Sequence, residues 1–321
     1  MSRARNTLPN LAVADAADRP ARARGAGLLA TGLVASLRPE QWTKNLLVFA
    51  ALVFALKLFD LSAVLAASEA FVILCALSGV VYLVNDVMDR EGDRTHPSKS
   101  LRPIAAGLLP VPVALGAVVV IASLALAGAF ALDRELGLVA VGYLTLQGLY
   151  SLILKHVVIV DVLALALGFV LRAVAGAVVL DVTISQWLLV CTILAALFVG
   201  LAKRRHELVL LSGEAPLHRR ILGEYSPYLL DQMIAVVTAS TLIAYIFYTI
   251  NPETQAKFGT SWLGLTIPFP LYGIFRYLYL VHRRDGGGSP TDLLLNDRPL
   301  LVCVTLWVVA VVLLIYQPFV L

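Results

Sequence analysis

The chain has 321 residues, of which 60% are hydrophobic and only 14% charged, with a mean hydropathy of +0.86 and a net charge of +4. Ordinary soluble domains are about 45–50% apolar and about 25% charged, so the composition excludes a water-solvated globule and makes lipid the solvent of this chain. In hydrocarbon every backbone polar group needs an internal partner, and apolar runs of about 20 residues meet that need as helices, whereas barrel strands need only about 9–11.

Residues 1–36 carry Arg3, Arg5, Arg19, Arg22 and Arg24 among Ala and Pro, with no apolar stretch before a small-residue cleavage site. They are expected to be a disordered basic cytoplasmic tail rather than a signal peptide. Residues 37–321 are then expected to form one transmembrane domain. Spans are predicted near 44–60, 64–84, 111–132, 136–154, 157–180, 186–202, 228–250, 261–281 and 299–317. The expected fold is therefore an all-α membrane protein of about nine transmembrane helices, with its two termini on opposite sides.

The Lys and Arg distribution assigns those sides. One side holds the tail, Arg38, Lys44, the stretch Arg90 to Arg102, Lys155, the cluster Lys203 to Arg220, and Arg276, Arg283, Arg284 and Arg298. Only Lys57, Arg134 and Lys257 fall on the other, and Arg172 lies within a span. The positive-inside rule puts the N-terminus and the 85–110 and 203–227 loops in the cytoplasm, as caps over one face of the cell membrane, and the C-terminus outside. Gly286-Gly287-Gly288-Ser289-Pro290 reads as a flexible inner loop. Cys75, Cys191 and Cys303 each sit inside an apolar run and read as packing residues, not a disulfide framework. No nucleic-acid partner is expected.

The second span ends in Asn85-Asp86-Val87-Met88-Asp89-Arg90-Glu91-Gly92-Asp93-Arg94. If the helix continues, Asp86, Asp89 and Asp93 stand at i, i+3 and i+7, and with Asn85 they share one face. Clustered acids repel unless a cation lies between them, and hard oxygen ligands at this spacing suit Mg2+, which takes one or two carboxylates, keeps waters and bridges to substrate phosphates. A solvated helix end is the competing reading. Arg94, Lys99 and Arg102 follow at once, so acids for a metal stand beside cations for phosphate, the composition of a pyrophosphate site. Positive-inside topology alone also accounts for each cation singly.

Lys203-Arg204-Arg205-His206-Glu207 closes the sixth span, and Tyr150-Ser151-Leu152-Ile153-Leu154-Lys155-His156 closes the fourth. His206 has no second His or Cys at a zinc spacing and reads as solvated. Inside the fifth span stand Asp161 and Arg172, and ionisable groups at membrane depth are functional by default. Eleven residues return them to within roughly 20° of one face, with a rise of about 16 Å, so both are expected to point into one polar cavity at different depths.

With those residues in hand, the chain resembles the UbiA-like superfamily of membrane prenyltransferases, and within it the branch that moves 5-phosphoribose onto decaprenyl phosphate. The similar stretches are Leu37-Arg38-Pro39-Glu40-Gln41-Trp42-Thr43-Lys44-Asn45, then Tyr82 to Asp86 continuing through His96-Pro97-Ser98-Lys99 to Gly107, then Leu154-Lys155-His156, Leu171 to Gly176, and Lys203 to Leu208. The resemblance runs from about Ser36 to the C-terminus. It implies a UbiA-like helix bundle in which Asn85, Asp86, Asp89 and Asp93 hold Mg2+ on the pyrophosphate of 5-phosphoribosyl pyrophosphate (PRPP). It implies phosphate contacts from Lys44, Arg94, Lys99, Arg102, Tyr150, Lys155, Lys203 and Arg204, with Arg172 and Glu207 also at the substrate. Asp161 is expected to act as a fourth catalytic acid beside Asp86, Asp89 and Asp93, stabilising the developing cation or orienting the ribose hydroxyls. The implied reaction joins the ribose to a polyprenyl phosphate and releases pyrophosphate, for envelope arabinan precursors; resemblance alone also suggests a homo-oligomer, a trimer.

Two departures matter. Relatives that use a prenyl diphosphate carry a second Asp-x-x-x-Asp motif after the sixth span, where this chain offers Lys203, Arg204, Arg205 and Glu207. The Tyr150 to Lys155 gap is one residue longer than the Tyr-x-x-x-Lys pattern. A prenyltransferase with an aromatic acceptor predicts the second acid motif, and a transporter or lipid-binding scaffold predicts an inverted repeat with interrupted spans; neither is found.

Overall fold

A computed structural model describes residues 21–96, 99–210, 220–283, 293–294 and 296–320, all in helices, turns and short connections, with no strand among them. In chain order the α-helices are α1 (Ala21–Ser36), α2 (Val48–Phe54), α3 (Leu61–Met88), α4 (Arg90–Thr95), α5 (Val111–Leu132), α6 (Arg134–Leu152), α7 (Val160–Val179), α8 (Gln186–Leu210), α9 (Pro227–Ile250), α10 (Pro252–Phe258), α11 (Pro268–Arg283) and α12 (Arg298–Val320). Local chemistry marks several starts. Asp133 accepts from the Leu136 N–H at 2.8 Å to cap α6, Ser226 accepts from Leu229 at 3.1 Å ahead of Pro227 in α9, and Asn251 accepts from Glu253 at 2.8 Å ahead of Pro252 in α10.

Six helices, α3, α5, α7, α8, α9 and α12, are long and apolar enough to cross a membrane. Three predicted spans take other forms. Residues 44–60 begin in a 3-10 helix, Pro39–Leu47, and pass into α2, which closes before Leu56 at φ 61°. Residues 261–281 divide into a 3-10 helix, Trp262–Thr266, and α11, which Pro268 opens. Residues 136–154 form α6, whose first turn carries Arg134 and Glu135. Apolar side chains face outward over much of the surface, among them Val119, Leu124 and Leu313, each more than 60% exposed. Water would penalise that surface and lipid does not.

The chain divides into two compact units. The first comprises residues 1–39 and 82–118. Residues 21–36, expected within the disordered tail, instead form α1, because Leu29, Leu33 and Leu37 pack on buried Leu83, Ile104, Leu109 and Ala114. Residues 1–20, 97–98, 211–219, 284–292, 295 and 321, including the rest of the tail and the glycine-rich loop, lie outside the described residues.

The second unit comprises residues 40–81 and 119–321. On α3 the buried positions Ala63, Ala67, Ala70, Leu74 and Leu77 form one stripe at alternating spacings of four and three, meeting Ala125 and Ala129 of α5 and Leu136, Ala140 and Tyr143 of α6. Small residues let backbones approach, as membrane helix packing favours. At Gly176 of α7 a Cβ would stand 2.1 Å from the Val48 carbonyl oxygen, so α2 and α7 meet backbone to backbone. A further core joins Val162, Phe198, Leu201 and Ala202 to Ile221, Tyr225, Leu230, Tyr277 and Leu280.

Candidate functional site

In the first unit, α3 carries its last turn past Leu83 and ends at Met88, Asp89 takes φ −89° and ψ 3°, and α4 resumes at Arg90. Asp93 N–H still bonds the Asp89 carbonyl at 2.8 Å, so the break is slight. It keeps Asp86 and Asp93 together and leaves Asp89 exposed. Asp86, 2% exposed, accepts from Arg38 Nη2 at 2.5 Å and from Arg102 Nη1 at 3.2 Å; the same Arg102 nitrogen reaches Asp93 at 2.5 Å. Two buried carboxylates thus converge on one cationic group. Arg94 pairs with Glu91 at 3.2 Å and reaches the Ala105 carbonyl, Lys99 is exposed, and Asn85 is half-buried. Among the described residues no three Asp, Glu, His or Cys side chains converge as a metal site. The pair Asp86 and Asp93 nevertheless fits a cation that takes two carboxylates and completes its shell with water and phosphate.

In the second unit the polar centre is built around Asp161, in the first turn of α7 and fully buried. Its Oδ2 accepts from Arg204 Nε at 2.7 Å and its Oδ1 from the Tyr225 hydroxyl at 2.8 Å. Arg204 of α8, 1% exposed, also bonds Glu207 Oε2 at 2.9 Å and the Tyr150 hydroxyl at 3.1 Å. Lys203 lies 3.9 Å from Glu207, Lys155 is half-buried in the 3-10 helix Leu154–His156, and Lys44 is half-buried in Pro39–Leu47. In this geometry Nε, Nη1 and Nη2 of Arg204 all bond protein oxygens, so Arg204 is the buried partner of Asp161. Both oxygens of Asp161 accept from protein donors, and the residue is fully buried.

Tyr225, which the sequence reading missed, closes this centre. Its hydroxyl accepts from the Ile159 N–H at 2.7 Å while donating to Asp161. Burial pushes its phenol up to about 12, and the neighbouring Asp161 carboxylate acts in the same direction. Ile159 adopts φ 70° and ψ −44°, a region that a β-branched residue rarely enters. Beside it a cleft of about 500 Å3 is lined by His156, Val157, Val158, Ile221 and Glu224.

Arg172 belongs to a different network. Only 6% exposed, it donates to Asn45 Oδ1 at 2.7 Å, to the Gly168 carbonyl at 2.7 Å and to the Tyr143 hydroxyl at 2.9 Å, with its guanidinium against the rings of Tyr143 and Phe169. Asn45 and Tyr143 in turn bond Ser78 of α3. The expected single polar cavity along α7 is therefore replaced by two protein-filled networks, and Arg172 is a strut joining four helical segments. Lipid leaves a buried guanidinium no alternative to protein oxygens and rings.

A family model, the UbiA prenyltransferase family, matches residues 45–291. The decaprenyl-phosphate phosphoribosyltransferase of Corynebacterium glutamicum is 33% identical over 90% of this chain and 88% of its own. That of Mycobacterium tuberculosis is 36% identical over 88% of this chain and 94% of its own. Among solved structures, a UbiA homolog from Archaeoglobus fulgidus bound to GPP and Mg2+ superposes with a TM-score of 0.66 at 20% identity, covering 88% of this chain and 99% of that one; this likeness shows the fold.

Proposed function

This chain belongs to the UbiA prenyltransferase family, and from that premise we propose that it transfers 5-phosphoribose from PRPP to decaprenyl phosphate and releases pyrophosphate. The observation that carries the reading is the convergence of Asp86 and Asp93 on a single cation, in a chain similar along nearly its whole length to decaprenyl-phosphate phosphoribosyltransferases. Asp86 and Asp93 would hold Mg2+, with Asn85 and Asp89 at the same helix end. When bound, the ion neutralises negative charge on the departing pyrophosphate.

The acceptor phosphate oxygen attacks C1 of the ribose as the C1–pyrophosphate bond breaks, so the electron pair leaves with pyrophosphate. The acceptor is already anionic, and no proton has to be removed. Arg94, Lys99 and Arg102 bind donor phosphate oxygens. Asp161 is a positioning residue that holds Arg204 and, through it, Tyr150 and Glu207. The chain crosses the cell membrane nine times, α2, α6 and α11 with their flanking turns completing the six long helices, with the N-terminus and the acids on the cytoplasmic side.

The test supplies purified protein in vesicles with Mg2+ and decaprenyl phosphate, and either labelled PRPP or labelled geranyl diphosphate with 4-hydroxybenzoate. Labelled lipid from PRPP alone, lost in Asp86→Asn, is expected. Product from geranyl diphosphate instead makes the chain an aromatic prenyltransferase, and no product from either donor refutes both.

A further inference from the structure

Asp86 and Asp93 are already neutralised in this structure, and the way Arg38 does so is unusual. Arg38 lies 48 residues from Asp86 in sequence, at the end of α1, and reaches it at 2.5 Å. Its backbone takes φ 51°, a left-handed conformation that arginine seldom adopts, where the chain turns out of α1 directly before Pro39. The guanidinium carbon rests 4.7 Å from the centre of the Tyr82 ring. Tyr82 and Asp86 are one turn apart on α3, so ring and carboxylate together form a seat for one planar cation. Arg102 completes the arrangement by placing a single nitrogen between Asp86 and Asp93. Positive charge therefore stands where a dication shared by these acids would stand.

We propose that Arg38 and Arg102 are stand-in cations that compete with the divalent ion for Asp86, and that on donor binding Arg38 turns its guanidinium to the donor's phosphate oxygens as a further binding residue. The inference rests on the reading that Asp86 and Asp93 hold the metal. Its physical basis is that two guanidinium groups on Oδ1 of Asp86 occupy that oxygen and oppose a dication by charge, whereas the guanidinium fork matches phosphate at least as well as carboxylate. The donor brings the acceptor oxygens that release Arg38. Metal is consequently held weakly by the free protein and tightly in company with the donor.

The experiment measures Mn2+ binding by the purified full chain, from the electron paramagnetic resonance of free Mn2+, without donor. Arg38→Gln removes one competitor, and Mn2+ is expected to bind about two- to fivefold more tightly, the worth of an ion pair whose cation water still reaches. With PRPP present, the same variant raises the donor KM by roughly tenfold, the worth of one charge-assisted bond, and more than it lowers kcat. Arg38→Lys keeps the charge without the fork; its Mn2+ affinity is expected between those of the parent and Arg38→Gln, and it carries the test if Arg38→Gln does not fold. Unchanged or weaker Mn2+ binding in a variant that melts with the parent overturns the proposal. Asp86→Asn separates the two levels: if it leaves Mn2+ binding intact, the metal assignment itself is wrong. If it abolishes binding while both Arg38 variants bind as the parent does, only the competition is wrong.

Discussion

Arg204→Met is the sharpest test of the buried centre in the second unit. Arg204 is 1% exposed and Asp161 is fully buried, so the substitution leaves a carboxylate in an apolar surround with the Tyr225 hydroxyl as its remaining partner. Removing one member of a buried ion pair costs about 3–5 kcal/mol, because the desolvation of the survivor is no longer offset. Glu207, with a quarter of its side chain exposed, can turn to water and adds little. At about 2–4 °C per kcal/mol, the melting temperature in detergent falls by roughly 6–20 °C. The converse half of the argument is more demanding. Asp161→Leu combined with Arg204→Met removes both charges at similar volume, and such replacements are often neutral, so the double variant recovers at least half of the loss. A single variant within a degree or two of the parent, or a double variant no more stable than the single, refutes the claim that pairing with Arg204 is what makes Asp161 tolerable.

Gly176→Ala brings a Cβ within 2.1 Å of the Val48 carbonyl, backbone against backbone, and should lower folded yield and melting temperature by the equivalent of about 1–3 kcal/mol. Gly137→Ala is the control, since its nearest contact, at 2.2 Å, is the half-exposed ring of Phe130, which can turn aside; stability within about 1 kcal/mol of the parent is expected, measured in the same melting assay. Tyr225 has a folded pKa of about 12 against an ordinary value of 10. The stability it contributes is therefore complete below pH 10 and lost as pH rises through 12, and Tyr225→Phe should flatten the parent's loss of melting temperature across that window. Donor turnover, in contrast, should not titrate at Tyr225 between pH 6 and 9, because the phenol remains protonated throughout.

What was legible in the chain depended on the range of the physics involved. The six long helices follow from uninterrupted apolar length alone; α3, α5, α7, α9 and α12 appear within a few residues of the predicted spans, while α8 continues past 202 to Leu210 through the cluster Lys203 to Glu207. The runs 44–60 and 261–281 have the same composition, but their helices are set by single backbone events, Leu56 at φ 61° and Pro268, which a hydropathy window averages away. Within the acid motif, the i, i+7 relation correctly joins Asp86 to Asp93, whereas one non-helical residue at position 89 turns the third carboxylate outward.

The charges inside spans show the division most plainly. Lipid requires that Asp161 and Arg172 find partners, and helical periodicity places both on the buried side of α7. Neither rule names the partner. Arg204 lies 43 residues from Asp161, Tyr225 lies 64, and Asn45 lies 127 from Arg172. Two groups on one face of a helix were expected to serve one cavity, yet each found a nearer protein oxygen or cation. Asp86 differs in a way that bears on function: its partners are Arg38 and Arg102, whose side chains remain about a quarter exposed. An ion pair that water can still reach is one that a stronger cation and a phosphate can exchange, and that difference in burial separates the acids assigned to the metal from the acid that holds the bundle together.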